Sequence, residues 1–576
     1  MKQKRKPHLQ HILLLLLVSS ALHHIQPAMA INADTIIITE EDIEAIMAHT
    51  MADILNTIPG VSAGRTSVNI HGNYRVKVFV DGRPLNDPTS NHGGVKWDMI
   101  SPDRIKQIEI LSGKGGVRYG QDASGGVILI TSKGGRNFSG NIKTYVGSTD
   151  LFNGGGNIQS TSGPWTTHLS GGYERTDGYI INNDKHRRRT GANIAYLFNN
   201  QNNITLSADY LHDERGLSGL PARPTPFSRR KSWMATYTVQ AEIHGVSSKT
   251  YYNQGRRHNR DISRKLDKSI RISNLGQELN SSLQTGAAFT LNYGGAFSFS
   301  RADGTGFHNQ EESSISLYGV EAYSVDGNPF AFSLGLRANI NSTFDNNVNP
   351  EIKTTWKNRQ WRATLAYGRT SNTPGFYQRY NETSSTIPNP ALNMETADNF
   401  SLSFTPKISA AVSGDIRIFY NQISNRITYI TNDEGIGQYQ NFGRVNYIGQ
   451  DLTLIWRPSP TINFKSSYTH LKARDVNSGR FLPAKPEHRW RVTAGYLITD
   501  RLSTMVIFRA TSKVYRNKDN SKSVAAYTLT DCKAEYNFDK FSLFAQLSNL
   551  FDKEYNYADG LRGAPRAWFI GINYKF

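Results

Sequence analysis

Arg65, Asn86, Asn91 and His92 fall in two polar, turn-like stretches, 63–67 and 85–94, with Trp97 just beyond. A guanidinium, two amides, an imidazole and an indole are groups that hold rather than break. Together they grip an anion through charge, hydrogen bonds and stacking on a ring face. The same five residues also read as ordinary solvated turn residues, and both readings stand at this level. Bond-breaking sets are harder to find. There is no His-Glu-x-x-His helix and no Gly-Lys-Ser/Thr phosphate loop. The glycines from Gly113 to Gly120 lack dinucleotide-loop spacing and read as turns where the backbone passes close to itself. Cys532 is the only cysteine. That excludes paired-cysteine metal sites and an internal disulfide, and a small apolar side chain on a strand is the plain reading.

Elements that would position these residues begin after a leader. Lys2, Lys4, Arg5 and Lys6 precede an apolar run from Ile12 to Val18, and Ala28-Met29-Ala30 offers small residues for cleavage, so residues 1–30 read as a secretory signal peptide. Beyond Ala30 no apolar run reaches the 18 or so residues of a spanning helix. The composition is lean for so long a chain: 38% hydrophobic residues, mean hydropathy −0.50, and 28 Tyr against 8 Trp. A membrane β-barrel explains this, because only alternate residues of each strand face lipid. A large soluble β-protein is the competing reading. The net charge is +19, of which the four basic leader residues leave about +15. In an exported chain this points away from nucleic acid, and toward either anionic membrane headgroups or an anionic ligand.

Residues 40–58 predict two short helical turns. Thr39 with Asp42, and Thr50 with Asp53, have capping-box spacing, and Pro59-Gly60 ends the second. Short strands are expected at 68–70, 76–80, 108–111 and 127–131, with Asp81-Gly82 as a turn. This describes an α+β unit of roughly 100 residues. From about Ser139 the pattern changes to alternating segments between Gly, Asn, Asp and Ser clusters. Ile204, Leu206, Ala208 and Tyr210 share a face opposite Thr205, Ser207 and Asp209. Trp361, Ala363, Leu365 and Tyr367 repeat the pattern, as do Trp568, Ile570, Ile572, Tyr574 and Phe576. Aromatics near both ends of that last run suit interfacial girdles. Longer loops are expected at 214–230, 383–394 and 515–523.

Several segments together carry a family resemblance. Ile54-Leu55-Asn56-Thr57-Ile58-Pro59-Gly60-Val61, Val78-Phe79-Val80-Asp81-Gly82-Arg83-Pro84-Leu85-Asn86-Asp87, Ile108-Glu109-Ile110-Leu111 and Tyr119-Gly120-Gln121-Asp122-Ala123-Ser124-Gly125-Gly126-Val127-Ile128 resemble, in order and spacing, the plug domain of TonB-dependent outer-membrane receptors. Asn389-Pro390-Ala391-Leu392 and Leu547-Ser548-Asn549-Leu550-Phe551 resemble recurrent segments of that family's barrel.

The resemblance implies a transmembrane antiparallel β-barrel of about 22 strands with an N-terminal α+β plug in its lumen. The implied division is a leader at 1–30, a coupling segment or first plug strand at 31–39, a plug at 40–135 and a barrel at 136–576. Asp34, Thr35, Ile36, Ile37, Ile38 and Thr39 resemble a TonB box, which would pair as an added strand with TonB of a TonB-ExbB-ExbD complex. The final Phe576 resembles the signal read by barrel assembly machinery.

The implied function is active uptake of a scarce metal chelate across the outer membrane, a ferric siderophore first. Cobalamin is the nearest rival, and a porin- or adhesin-like barrel with a retained plug is a rival of another class. Haem is disfavoured because 373–390 contains no histidine, although His92 could serve as an axial ligand. Contact with outer-membrane lipid or lipopolysaccharide, a monomeric state, and an iron chelate as cargo with no resident cofactor and no metal site of its own all follow. One departure concerns the plug latch. The family commonly places arginines where this chain has His71 and Ser112, opposite barrel glutamates at the positions of Ser401 and Asp451. A rebuilt latch drawing on Arg75, Lys114 and Asp451 is the expectation, since buried charges need partners.

Overall fold

A computed structural model describes residues 35–576 except 47, 91, 92, 135–137, 221, 222, 307, 384, 433, 434 and 559. The leader, Asp34, Asn91 and His92 lie outside the described residues. Both capping boxes form. The Thr39 hydroxyl accepts from the Asp42 N–H at 3.3 Å while Asp42 accepts the Thr39 N–H at 3.1 Å. Thr50 and Asp53 do the same at 3.2 and 2.9 Å. The resulting helices, Glu40–Ala45 and Met51–Leu55, are too short to persist alone. They are held by burying Ile43, Met51, Ile54 and Leu55 against a sheet.

That sheet comes from strands β1 (Ile36–Thr39), β4 (Val76–Val80), β5 (Arg83–Pro84), β6 (Ile105–Ser112) and β7 (Gly126–Ser132), in the order β1-β6-β7-β4-β5. A separate hairpin pairs β2 (Val61–Ala63) with β3 (Val68–Ile70). Between β4 and β5, Asp81 and Gly82 both have positive φ, +49° and +77°. That is the twist a two-residue hairpin turn needs. Ile54, Leu55, Val78, Ile108, Ile110 and Ile128 are completely buried at the centre, each worth about 2 kcal/mol against exposure.

Among the described residues, 22 antiparallel strands close into a barrel around this plug. The closing seam pairs Ala567–Lys575 with Ser139–Gly147, from Phe569↔Gly147 to Lys575↔Asn141. Gly140 and Phe576 exchange backbone hydrogen bonds of 2.9 and 3.0 Å at its end. Closure leaves no strand of this sheet as an open edge, as hydrocarbon demands. Strand Phe330–Asn341 shows the two-faced pattern most plainly. Phe330, Phe332, Leu334, Leu336 and Ile340 are exposed outward, while Arg337 and Asn339 are buried in the lumen. The outward face expected at the C-terminus is present too, with Trp568, Ile570, Ile572, Tyr574 and Phe576 all exposed.

One end of the barrel carries short turns such as 163–164 and 244–245, and the other carries longer connections. By the usual asymmetry the latter face outward from the cell. The outer connection 373–394 contains a helix, Phe376–Tyr380. Connection 425–443 folds back as a hairpin, Ile427–Thr431 with Gly437–Asn441. The loop expected at 214–230 is shorter, because strands run on to Gly216 and restart at Ser228.

Lipid exposure of Leu334 gives a direct check. Leu334→Arg is expected to lower barrel stability by about 2–4 kcal/mol, read as loss of heat-modifiable migration after refolding into vesicles. An unchanged folded fraction would contradict the outward assignment of this face.

Candidate functional site

The seam between plug and barrel wall is polar and heavily paired. At its centre, His71 Nε2 lies 2.6 Å from Asp451 Oδ2, both side chains buried. The His71 ring stacks on Phe419 at 3.5 Å between centroids. Thr469 Oγ1 donates to Asp451 Oδ1 at 2.9 Å and accepts the Gly60 N–H at 2.7 Å. Gly60 sits at φ +76°, and a Cβ there would collide with the His71 ring. Ser112 Oγ is 3.5 Å from His71 Nδ1. The two plug positions at which arginine was missing therefore meet each other, and imidazole with carboxylate occupies the place of a longer ion pair.

Of the three latch residues expected from sequence, only Asp451 joins this pair. Arg75 turns to Glu395, at 3.3 Å, and to Asp122 at 4.0 Å, and donates to Gln378 Oε1 at 3.3 Å. Lys114 is buried in the field of Glu351, Arg417 and Lys353, and burial holds its pKa well below the ordinary lysine value.

A second tie was not foreseen: plug residues Arg83 and Arg104 converge on barrel Asp209 at 2.5 and 3.3 Å, all three buried. The inward side of the Ile204–Tyr210 alternation already contained this carboxylate. Asp98 meets Arg187 at 2.5 Å and Arg215 at 3.5 Å. Asp87 meets Arg257 at 3.2 Å and Lys96 at 3.5 Å.

Above the latch, on the outer side, the plug hairpin and the wall enclose a chamber of about 530 Å³. Its charged lining residues are Lys485, Arg489, Arg491 and Arg509, and no carboxylate is among the described residues that line it. Tyr74, Tyr527, Tyr555 and Tyr557 supply ring faces. Lys485 Nζ lies 3.8 Å from the Tyr74 ring centroid, and Tyr527 and Tyr555 are 4.6 Å apart. Arg489 donates to Val61 O at 3.0 Å, which fixes it beside the plug tip. A second space of about 250 Å³ mixes both charge signs: Arg75, Lys77 and Arg337 with Asp87, Asp122, Glu278 and Glu312.

The binding residues expected from sequence separate here. Arg65 is exposed at the plug tip, in the field of Arg215, Asp213, Asp98 and Arg187. Asn86 is spent on the fold: its Oδ1 accepts Val78 N–H, and its Nδ2 donates to Val76 O and Gly93 O. Trp97 is a core residue, 4% exposed, so its indole is withdrawn from the mouth. The cations of the chamber sit on barrel strands and the 476–487 connection, where alternation marks a face but gives no sign of its neighbours. Gly60-Val61-Ser62-Ala63-Gly64 spells a Gly-x-Ser-x-Gly pattern. It runs through β2 into a hairpin rather than from a strand into a helix, so it is no nucleophile elbow.

Residues 27–127 match the TonB-dependent receptor plug domain, and residues 129–550 match the TonB-dependent receptor-like β-barrel. This chain belongs to the TonB-dependent receptor family. It is an outer-membrane protein of transporter and receptor type. It is 23% identical over 644 residues to the iron-regulated outer membrane virulence protein of Vibrio cholerae, covering 97% of this chain and 95% of that one. It is 23% identical over 587 residues to the vitamin B12 transporter BtuB of Photobacterium profundum, covering 96% and 94%. Among solved structures, the siderophore receptor PirA of Acinetobacter baumannii superposes with a TM-score of 0.80 at 18% identity, over 94% of this chain and 98% of that one. The copper transporter OprC superposes with 0.82 at 14%, over 94% and 100%. Identities this low speak for shared architecture.

In this TonB-dependent receptor, Ile36–Thr39 of the expected coupling segment form β1, paired antiparallel with β6 from Ile36↔Ile110 to Thr39↔Gln107. These residues are therefore the first strand of the plug sheet, at its edge.

Two outcomes are expected. His71→Ala leaves the Asp451 carboxylate buried without its partner, and should weaken plug docking by about 3–5 kcal/mol. His71→Ala with Asp451→Ala should recover part of that. Hydrogen exchange of plug amides reads both, and equal protection in wild type and His71→Ala would refute the latch. The second concerns pH. Burial alone would raise the Asp87 and Asp103 carboxyls, but neighbouring cations (Lys96 and Arg257; Lys143) outweigh it and hold both below the usual range. A depressed carboxylate stabilises above its unfolded pKa of about 3.9 and loses that contribution as pH falls through the folded value. These carboxylates should therefore cost plug protection only below about pH 4, whereas buried His49, whose pKa desolvation lowers to about 3, should already erode it as pH falls through the ordinary imidazole range.

Proposed function

We propose that this receptor imports an anionic metal chelate, a ferric siderophore first among them, in a TonB-dependent manner. The supporting observation is the chamber whose charged lining is Lys485, Arg489, Arg491 and Arg509, with four tyrosines and no carboxylate. Lys485 lies in the field of Arg489, and Arg491 in that of Arg509, which also pairs with Asp531 at 2.5 Å behind the lining, and an anion in the chamber would offset that repulsion. Lys485 registers the tension: burial, then Arg426 and Arg489, push its pKa well below the ordinary lysine value. An anion would reverse that push. The tyrosine faces add stacking area for an aryl-bearing chelate. Iron would be cargo, with no resident cofactor in the protein. The chamber favours a polyanion over cobalamin, which carries little net charge.

Energy would come from TonB within a TonB-ExbB-ExbD complex. Among the described residues β1 lies at the edge of the plug sheet, with β6 as its strand partner, which is the geometry β-augmentation uses. A monomer would suffice, since the chamber and latch are built from one chain, with lipopolysaccharide around the wall.

Uptake of radiolabelled ferric chelates in cells with and without TonB tests the reading. Arg489→Ala and Arg491→Ala should each weaken binding of an anionic ferric chelate by about 1.5–3 kcal/mol. Because binding raises the Lys485 pKa, affinity should fall as pH rises. Uptake indifferent to TonB, or cobalamin competing as well as the chelate, would overturn it.

A further inference from the structure

On the outer face of the wall, across the sheet from chamber and latch, two histidines face each other on neighbouring strands. His470 in strand Ile462–Asp475 is in direct register with His488, the first residue of strand His488–Leu497. Their rings stack at 5.0 Å and 12°. Glu487 precedes His488 and brings its Oε1 to 3.6 Å from His470 Nε2. One ligand atom from each of the three lies within 4.8 Å of the others.

The period of two settles which way they point. Thr469 and Leu471 are buried on the lumen side, so His470, between them, faces out. So do Tyr468 below it and Trp490 beside it, whose indole marks the upper edge of the lipid-facing band. The cluster therefore sits just above that band at the outer rim. Its frame is fixed: the Leu471 N–H donates to Glu487 O at 2.8 Å, and Ser512 Oγ accepts the His488 N–H at 3.0 Å.

We propose that His470, Glu487 and His488 bind one divalent transition-metal ion of the zinc class. Two imidazoles and a carboxylate are the donor set such ions take when a fourth position stays open. Calcium and magnesium, which want oxygen cages, would bind poorly. Tyr468 Oη lies 2.7 Å from His488 Nδ1. With the proton on Nδ1 donated to the tyrosine, Nε2 is left as the ligand, which is the outer-shell arrangement that orients metal-bound histidines. The ion would tie the end of the 476–487 connection, which carries chamber residue Lys485, to two barrel strands. The open position would face the membrane surface.

The test uses tag-free, full-length mature protein in detergent, titrated with zinc against a chromophoric chelator, with a thermal melt on the same samples. One zinc per chain with a raised melting temperature is expected. His488→Ala and Glu487→Gln should abolish or sharply weaken it. Tyr468→Phe should weaken it about tenfold. His258→Ala, at an outward histidine paired with Asp267 elsewhere on the wall, should leave it intact. Heat-modifiable migration reports whether each variant keeps its closed barrel, and Glu487→Gln keeps shape and volume should His488→Ala misfold. Zinc binding unchanged in both His488→Ala and Glu487→Gln, or equal affinity for calcium, would overturn the proposal.

Discussion

A charge inside a membrane cylinder has no bulk water to fall back on, and most of this structure follows from that. Closing 22 strands satisfies the backbone but leaves a lumen lined by the polar half of every strand. Asp209, Asp451, Arg187, Arg257 and Arg337 all point into it. The plug is the answer to those side chains. It meets Asp209 with two arginines, Asp451 with an imidazole, Arg187 with Asp98, and Arg257 with Asp87. Partners come from opposite sides of the seam, so moving the plug exposes charges on both faces at once. Such a boundary is strong when dry and weak when wetted. That suits a body that has to stay seated and yet be pulled.

The chamber breaks the same rule in one place. Lys485, Arg489, Arg491 and Arg509 line it with no acid among the described lining residues, whereas the second space carries carboxylates as well as cations. A cation cluster whose ion-pair partner, Asp531 at Arg509, stands behind the lining costs stability. It persists here where the walls are already held by strands on one side and the β2–β3 hairpin on the other, and it leaves a vacancy for negative charge from outside.

How much of this could be read from residues alone differs by level. Capping boxes at Thr39 and Thr50, the Asp81-Gly82 turn and the outward face of the last strand are local, set by neighbours a few positions apart, and all appear as expected. The barrel's inward faces were legible as polar alternation, Asp209 among them, but not their partners. Arg83 and Asp209 lie 126 positions apart, and His71 and Asp451 380. His71 read as a lost arginine because a substitution was judged by charge rather than reach. A shorter imidazole meets a shorter aspartate, and Phe419 fills the remaining space. Asn86 and Trp97 misled in the other direction. Amide and indole suit a ligand and a fold equally well, and only the hydrogen bonds to Val76, Val78 and Gly93 and the burial of the indole show which claim prevails.

The seam that shuts the cylinder joins the strand beginning at Ser139 to the strand ending at Lys575. Those two segments are the earliest and latest parts of the wall to emerge during synthesis. No closed cylinder can exist before that last strand is present, and every earlier strand has to be kept from pairing wrongly until it arrives. The cork, made before any of the wall, spends that whole interval with its arginines and aspartates unanswered. The ring around it is complete only when the first and last strands of the wall pair with each other.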